Sequence, residues 1–189
     1  FNGYELTLGS ASTHLRLCYD ADSFNRWPES TFNTANGSLT FICPLRLNVD
    51  SLLKSSGGTI TLESGGYVPF ESILSLQDTT LELQGALKIW AGATLALNNT
   101  LINTNGNGEV VIYGDGILEV AGTQDLSGVF LNSSPTLRLA ANSTIDDNAS
   151  LSVGTLDLAN FALTLDDQMA GLSVAQPVTL DATGEKIVT

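Results

Sequence analysis

Short apolar triplets with a polar residue in the middle recur along most of this chain, at intervals of about twenty residues. The left edges of the apolar runs are Leu39, Ile60, Leu81, Leu101, Leu118, Leu137, Leu156 and Val178. Successive side chains of a strand point to opposite faces, so each triplet places two apolar side chains on one face and a polar one on the other. A fixed interval of this length is typical of solenoids, in which short coils stack along one axis.

The residues between the apolar runs favour turns. Gly, Asn, Asp, Ser and Thr are frequent there, for example at Gln84-Gly85 and at residues 105–108. Apolar residues at helical spacing do not continue beyond one or two turns. The chain is therefore predicted to be all-β and to form a parallel β-helix, or β-solenoid, with about 20 residues per coil. An antiparallel β-sandwich, which also contains many short strands, is the alternative.

Residues 1–38 differ from residues 39–189, because the coil pattern is weak there and aromatic residues are frequent. Six aromatic residues lie in this region: Phe1, Tyr4, Tyr19, Phe24, Trp27 and Phe32. An aromatic-rich cap that covers the first coil accounts for this composition, since the open end of a solenoid exposes unpaired strand edges. We therefore divide the chain into an N-terminal cap or excursion region, 1–38, and β-helix coils, 39–189.

A loop over residues 19–28 is a candidate binding site within the cap region. It contains Phe24, Arg26 and Trp27. Exposed tryptophan and arginine side chains are frequent hot spots of binding interfaces, and aromatic rings also stack on sugars. These three residues are therefore predicted to contact a ligand. The alternative is that the aromatic side chains of this loop cover the first coil.

The two cysteines, Cys18 and Cys43, are separated by about 25 residues. In an oxidising compartment a disulfide between them would tie the loop to the first regular coil and stabilise the fold by about 3 kcal/mol. The alternative is two buried free thiols, because free cysteine packs as a small hydrophobic residue and both cysteines follow apolar strand residues.

Composition favours a secreted or cell-surface protein and excludes two classes of partner. Apolar residues make up 43% of the chain, enough for a core, and charged residues make up 14%. The net charge is −13 and the seven lysines and arginines are scattered, so we expect no nucleic-acid binding. No apolar run reaches about eighteen residues, so we expect no membrane insertion as a helix. The apolar strand pattern still present at residues 187–189 leads us to expect a fragment of a larger fibre or adhesin.

Catalytic and metal-binding patterns are weak. A nucleophilic triad needs a histidine, and His14 stands alone beside an apolar strand. Acidic pairs such as Asp146-Asp147 and Asp166-Asp167 match no calcium-loop spacing, and we expect them to be solvated turn residues. We therefore predict no cofactor, no metal and no enzymatic activity.

Two other functions stay open as alternatives. Many polysaccharide-degrading lyases and hydrolases are β-helices whose charged residues group on one sheet face. The outward charged residues of successive coils form a sparse set here: Glu82, Lys88, Glu119, Arg138 and Asp157. An ice-binding solenoid requires a flat face with a regular Thr-x-Thr register, and the sequence shows no such register from coil to coil.

The repeats resemble those of bacterial β-solenoid surface proteins. Residues 85–99 read Gly-Ala-Leu-Lys-Ile-Trp-Ala-Gly-Ala-Thr-Leu-Ala-Leu-Asn-Asn, and similar stretches occur at residues 116–122 and 149–158. Glycine, then Leu-x-Ile/Val, then Gly-Ala-Thr-Leu-x-Leu, is similar to the repeats of autotransporter passengers and filamentous-haemagglutinin-type adhesins. The resemblance implies an extracellular adhesion or recognition module, with a glycan or protein receptor on a cell surface as partner. It transfers no site residue.

The resemblance also leaves open a homotrimer in which three chains share a β-helical shaft. Stripes of outward apolar residues favour such a fibre. Trp90 and Phe130 are candidates for such a stripe because they break the inward alternation.

Overall fold

The computed structural model describes residues 5–7, 14–17, 29–34, 37–47, 52–145, 150–165, 171–175 and 186–188. Every regular element within these ranges is a β-strand, and every pair of neighbouring strands is parallel. This confirms the predicted parallel β-helix. It excludes the antiparallel sandwich, whose neighbouring strands run in opposite directions.

The strands of the described ranges follow one another at short intervals. In chain order they are β1 (Glu5–Thr7), β2 (His14–Leu17), β3 (Glu29–Asn33), β4 (Ser38–Phe41), β5 (Leu45–Arg46), β6 (Leu52–Ser56), β7 (Thr59–Leu62), β8 (Gly66–Val68), β9 (Ile73–Gln77), β10 (Thr80–Leu83), β11 (Ala86–Ile89), β12 (Thr94–Asn98), β13 (Leu101–Thr104), β14 (Glu109–Gly114), β15 (Ile117–Gln124), β16 (Val129–Ser133), β17 (Thr136–Ile145), β18 (Ser150–Val153), β19 (Thr155–Asp157), β20 (Ala162–Leu165), β21 (Gly171–Val174) and β22 (Lys186–Val188).

These strands form three main parallel sheets and one separate pair. Sheet A contains β1, β3, β6, β9, β12, β15, β17, β19, β20 and β22. Sheet B contains β2, β4, β7, β10 and β13, and sheet C contains β5, β8, β11, β14 and β16. The separate pair is β18 with β21. In the regular coils the chain passes from sheet B to sheet C to sheet A and then begins the next coil.

The coil length can be read from the strand register of sheet A. Successive coils align Leu53, Leu74, Leu95, Leu118, Leu137 and Leu156. The coils are therefore 21, 21, 23, 19 and 19 residues long, close to the predicted period.

The core is a set of apolar ladders that run along the solenoid axis. In β10, for example, Leu81 and Leu83 are buried on either side of the half-buried Glu82. The most deeply buried large side chains come from all three sheets: Leu39, Leu62, Leu74, Leu76, Leu81, Leu83, Leu87, Ile89, Leu95, Leu97, Ile112 and Leu118. Burial of one such side chain contributes about 1.5–3 kcal/mol. Stacking lets each thin coil share this apolar surface with the coils on either side.

The register differs from the predicted one at Leu101. The sequence pattern starts an apolar run at this residue, but the Leu101 side chain is 49% exposed whereas that of Ile102 is 5% exposed. Ile102 aligns with Leu81 and Ile60 on sheet B. Because Leu101 and Ile102 are both apolar, hydropathy alone does not decide which of them faces the core. The short interval from Leu101 to Leu118 is not a short coil, since it joins sheet B to sheet A.

The corner between sheets A and B contains a left-handed backbone position that repeats from coil to coil. Asp78, Asn99 and Gly122 occupy it, with φ angles of 49°, 47° and 71°. The N–H of Asp78 donates to the Asn98 carbonyl, and the N–H of Asn99 donates to the Ala121 carbonyl. Asn99 Nδ2 also donates to Asp78 Oδ1 over 3.2 Å. Asn and Asp tolerate this conformation better than most residues, and glycine adopts it without steric cost.

Buried polar side chains beside this corner bond to backbone groups of neighbouring coils. Thr100 Oγ1 donates to the Leu76 carbonyl over 3.0 Å, and Ser143 Oγ makes the equivalent bond over 3.2 Å in a later coil. Gln124 is fully buried, and its Oε1 accepts from the Thr100 N–H over 3.4 Å. These bonds replace the water that burial removes, so the corner is buried at low cost.

Sheet A lengthens in the later coils. β15 and β17 are eight and ten residues long, and their register shifts between Val120 and Gly122. Such a shift marks a bulge, which bends a strand and increases its twist. Beyond the bulge both strands continue, and β20 pairs with the second half of β17. In each of these coils a single long strand, β15 or β17, therefore covers sheet A and continues beyond the corner between sheets A and B.

Parallel pairing extends into the region predicted to be a cap. β1 pairs with β3 in sheet A, and β2 pairs with β4 in sheet B. β3 in turn pairs with β6 of the first regular coil. Strand pairing therefore crosses the boundary between 1–38 and 39–189, and the division of the chain at that boundary stays a prediction.

Candidate binding face on sheet C

The residues predicted to bind a ligand, Phe24, Arg26 and Trp27, lie outside the described ranges, and their role stays a prediction. Cys18 lies outside these ranges as well. Cys43, between β4 and β5, is disulfide-bonded. Its pairing with Cys18 stays a prediction.

The outer face of sheet C carries a row of large side chains. Core residues occupy the inward positions of its strands, so the residues between them point outward. Strand register aligns five of these outward residues in one row along the axis: Arg46, Tyr67, Lys88, Val111 and Phe130. Tyr67 is 39% exposed and Phe130 is 53% exposed.

A second outward row lies two residues further along the chain and contains Trp90, which directly follows β11, Tyr113 of β14 and Asn132 of β16. The rings of Trp90 and Tyr113 stack, with centroids 5.1 Å apart and planes at 22°. The Tyr67 ring centroid lies 5.8 Å from that of Trp90. Aromatic rings from three successive coils are thus in contact. We call the two rows together the C face.

One outward residue of the C face is nearly buried although it does not belong to the core cluster. Val111 points outward and does not belong to the core cluster, yet it is only 9% exposed. Its neighbours in the row are Lys88 and Phe130, and the stack of Trp90 on Tyr113 lies in the adjacent row. These large side chains therefore shield Val111 from water on the outside of the sheet.

Phe70 extends the aromatic surface to the corner between sheets C and A. Its side chain is 53% exposed and lies over Gly92 of the next coil. A Cβ atom on residue 92 would overlap the Phe70 ring, and Gly92 has a φ of 71°. Both the space and the backbone conformation therefore favour glycine at this position.

The basic residues of the C face have no carboxylate partner in the part of the chain that the structure describes. Arg46 and Lys88 are exposed, and neither makes an ion pair there. On sheet A, by contrast, Arg138 Nη2 lies 2.6 Å from Glu119 Oε2 and Arg138 Nε lies 2.8 Å from the same oxygen.

The outward charged residues considered for an enzyme are spread over the three sheets. Glu82 lies on sheet B, Lys88 on sheet C, and the other three on sheet A. Register places Arg138 between Glu119 and Asp157, an alternation of charge that stabilises neighbouring coils. Among the described residues no group of three or more His, Cys, Asp or Glu side chains is placed to hold a metal ion.

Sheet B carries a partial hydroxyl register that the sequence pattern does not reveal. Thr59 and Thr61 of β7 align with Ser38 and Thr40 of β4, and all four point outward. The pattern is interrupted in the next coil, where Glu82 takes the second position. Among the described strands of sheet B, outward hydroxyl residues therefore fill both positions only in β4 and β7.

Sequence reasoning missed the C face, although a signal for it exists. Tyr67, Trp90 and Tyr113 recur at intervals of 23 residues, close to one coil. Such spacing in a solenoid brings side chains together in neighbouring coils. The sequence pattern identifies Trp90 and Phe130 as candidates for an outward apolar stripe, but it does not include Tyr67 or Tyr113. The structure places both on the outside, with Trp90 41% exposed.

Comparison of the chain with protein-family models, with curated proteins and with solved structures finds no match in any of the three. Function is therefore inferred from the geometry and chemistry of the described residues. Among them, no helix has the length and apolar character needed to cross a membrane.

Proposed function

We propose that this chain is an extracellular adhesion and recognition module that binds a glycan through its C face. The observation that carries the proposal is the contact of partly exposed aromatic rings from three coils, Tyr67, Trp90 and Tyr113. Contiguous exposed apolar patches on soluble proteins often mark binding sites. A patch of this kind on a regular β-helix therefore supports a binding role for that face.

Tyrosine and tryptophan suit a ligand that has both apolar and polar surface. Each ring presents apolar area and carries a hydroxyl or an N–H at its edge. A sugar has the same mixed character, with C–H groups on its ring and hydroxyls around it. Stacking covers one face of the Trp90 ring and one of the Tyr113 ring. We therefore expect ligand contacts at the ring edges, where the polar atoms lie.

A solenoid also suits an extended ligand. Its side faces are long and continuous. The rings of the C face follow the axis in steps of one coil, about 4.8 Å each. A linear glycan that lies along the axis can contact several coils at once. Strands packed on the core hold the C-face side chains in place, so binding costs little ordering of the protein.

Two further observations support an extracellular location. Cys43 is disulfide-bonded, and disulfides persist mainly in oxidising compartments. The chain is poor in charged residues, at 14%, which agrees with secreted β-rich proteins. The resemblance of residues 85–99 to adhesin repeats leads to the same assignment. The expected source of the glycan is a cell-surface receptor.

Binding of the purified chain to an array of neutral and acidic glycans tests this function. Trp90→Ala should weaken binding of every recognised glycan by about tenfold or more, because aromatic hot spots contribute about 2 kcal/mol or more. Leu101→Ala is the matched control, since Leu101 is 49% exposed on sheet B. The control should bind like the wild type. A Trp90 variant with unchanged affinity and unchanged Tm would contradict the proposal.

Trp27→Ala separates the C face from the loop predicted to bind ligand. If Trp27→Ala abolishes binding while Trp90→Ala leaves it intact, the ligand binds in the loop over residues 19–28. Shortening of the bound glycan during the assay would instead identify a polysaccharide-degrading enzyme.

A further inference from the structure

We infer that the glycan recognised by the C face is a linear, carboxylate-bearing polysaccharide that lies along the solenoid axis, with Arg46 and Lys88 contacting its carboxylates. This inference rests on the proposed function and narrows it to one class of ligand. Its basis is the presence of two cations, unpaired among the described residues, on a single face of a chain whose net charge is −13.

The C face differs from sheet A in that the side chains of its basic residues are unpaired within the described ranges. The structure describes the side chains of four basic residues: Arg46, Lys54, Lys88 and Arg138. Arg138 on sheet A pairs with Glu119, and Lys54 on sheet A also has a partner. The side chains of Arg46 and Lys88 have no ion-pair or hydrogen-bond partner among the described residues. The two unpaired positive charges of this part of the chain therefore lie together on the C face.

One carboxylate lies on the strands near them. Glu109 is the first residue of β14 and aligns with Ala86, two residues before Lys88. Four other acidic residues lie in the connections at the borders of the sheet: Glu63, Glu71, Asp115 and Asp125. Counted without these connections, the strands of the C face carry two cations and one carboxylate, a net charge of +1. At physiological ionic strength the charges on the other faces are screened beyond about 8 Å.

The spacing of the cations fits a polymer. Arg46 and Lys88 lie two coils apart in the same row, with Tyr67 between them. A strand spacing of about 4.8 Å places their Cα atoms roughly 10 Å apart along the axis. A guanidinium binds a carboxylate through two parallel hydrogen bonds, and an ammonium binds it as a point charge. Arg46, Tyr67 and Lys88 thus follow one another as cation, aromatic ring and cation. This order matches a polysaccharide in which two carboxylates are separated by the apolar surface of a sugar ring.

Titration calorimetry with sodium alginate, a linear polyuronate, and with carboxyl-reduced alginate tests the inference. The two polymers share a backbone and differ in charge. The wild type should bind alginate at least about tenfold more tightly, because charge-assisted contacts form only with the carboxylates. Raising NaCl from about 50 to about 300 mM should weaken alginate binding and leave binding of the reduced polymer nearly unchanged.

Charge-removing variants connect this preference to the C face. The double variant Arg46→Gln, Lys88→Gln should bind both polymers with similar affinity. Lys54→Gln is the control for loss of positive charge elsewhere, because it removes one cation from sheet A, and it should keep the preference for alginate. Thermal melting followed by circular dichroism should show that all variants remain folded.

Three outcomes would overturn the inference: failure of the wild type to bind alginate, equal affinity for the two polymers, or an unchanged preference in the double variant. If Trp90→Ala still weakens binding of glycans on the array in any of these cases, the proposed function stands without the inference. If the wild type binds neither polymer and no glycan on the array, both fail.

Discussion

Gly122 and Gly106 both have a positive φ, 71° and 64°, but their surroundings differ. A Cβ atom on residue 122 would overlap Oδ1 of Asn99. A Cβ atom on residue 106 would have no heavy atom within 4 Å apart from those of residues 105–107. At residue 106 only the backbone conformation opposes a side chain. At residue 122 the corner between sheets A and B opposes it as well, because the Asn99 side chain fills the available space.

Alanine at these two positions separates the backbone cost from the cost of overlap. Gly106→Ala should lower the free energy of unfolding by about 1–2 kcal/mol, the cost of a left-handed residue with a Cβ. Gly122→Ala should lower it by roughly 2–4 kcal/mol, because the Asn99 side chain must also move. Urea unfolding measures both. If both variants lost the same free energy of unfolding, the Asn99 side chain would move aside without cost and the corner would not be tightly packed.

At the scale of a strand, the position of one residue relative to the core decides its energetic role. Leu101 and Ile102 are adjacent and similar in size, and strand β13 exposes the first and buries the second. In a strand a shift by one residue would exchange the two faces. Sheet B fixes the register by aligning Ile102 with Leu81 in the neighbouring coil.

Truncation of these two neighbours tests the register directly. Ile102→Ala should destabilise the protein by about 2–4 kcal/mol, through lost burial and the cavity that remains. Leu101→Ala should change stability by less than about 0.5 kcal/mol, because the exposed side chain adds little. Denaturant midpoints of the two variants provide the comparison. If Leu101→Ala were the more destabilising variant, Leu101 rather than Ile102 would face the core, as the sequence pattern predicts.

The sequence predicts the strand type and the stacking well, because alternation and period are local properties. It predicts the register poorly at Leu101, where two apolar residues compete for one inward position. The C face escapes prediction for a different reason. Tyr67, Trp90 and Tyr113 become neighbours only when coil length is known to the residue, and that length varies between 19 and 23. The left-handed corner positions are not predicted either, because Asp and Asn are common in turns and the sequence does not distinguish Asp78 and Asn99 from other turn residues.

For the whole molecule, stability is expected to be the sum of similar coils and of the contacts between them. Each regular coil contacts its two neighbours through all three sheets. The contacts that define the fold are therefore repeated, and one interior coil resembles the next. Residues 63–83 correspond to one coil of 21 residues, because Leu62 aligns with Leu83.

Deletion of residues 63–83 should therefore leave a folded protein. Leu62 would precede Gln84 as Leu83 does now, so every later residue keeps its sheet and its facing. We expect an unchanged β-type circular dichroism spectrum, a lower Tm and a urea m-value lower by about a tenth, in proportion to the surface lost. Deletion of residues 63–73, about half a coil, is the control and should unfold the chain. A folded half-coil deletion would contradict the strict stacking of coils.

The stack of Trp90 on Tyr113 also has an optical consequence. Two aromatic chromophores with centroids 5.1 Å apart couple electronically, and such coupling gives a circular dichroism band that the isolated rings lack. The chain contains two tryptophans, so Trp27→Phe leaves Trp90 as its single indole emitter. A molecule that touches the C face changes both the coupling and the emission. The face thus carries a built-in spectroscopic reporter, and its occupancy can be followed without an attached dye.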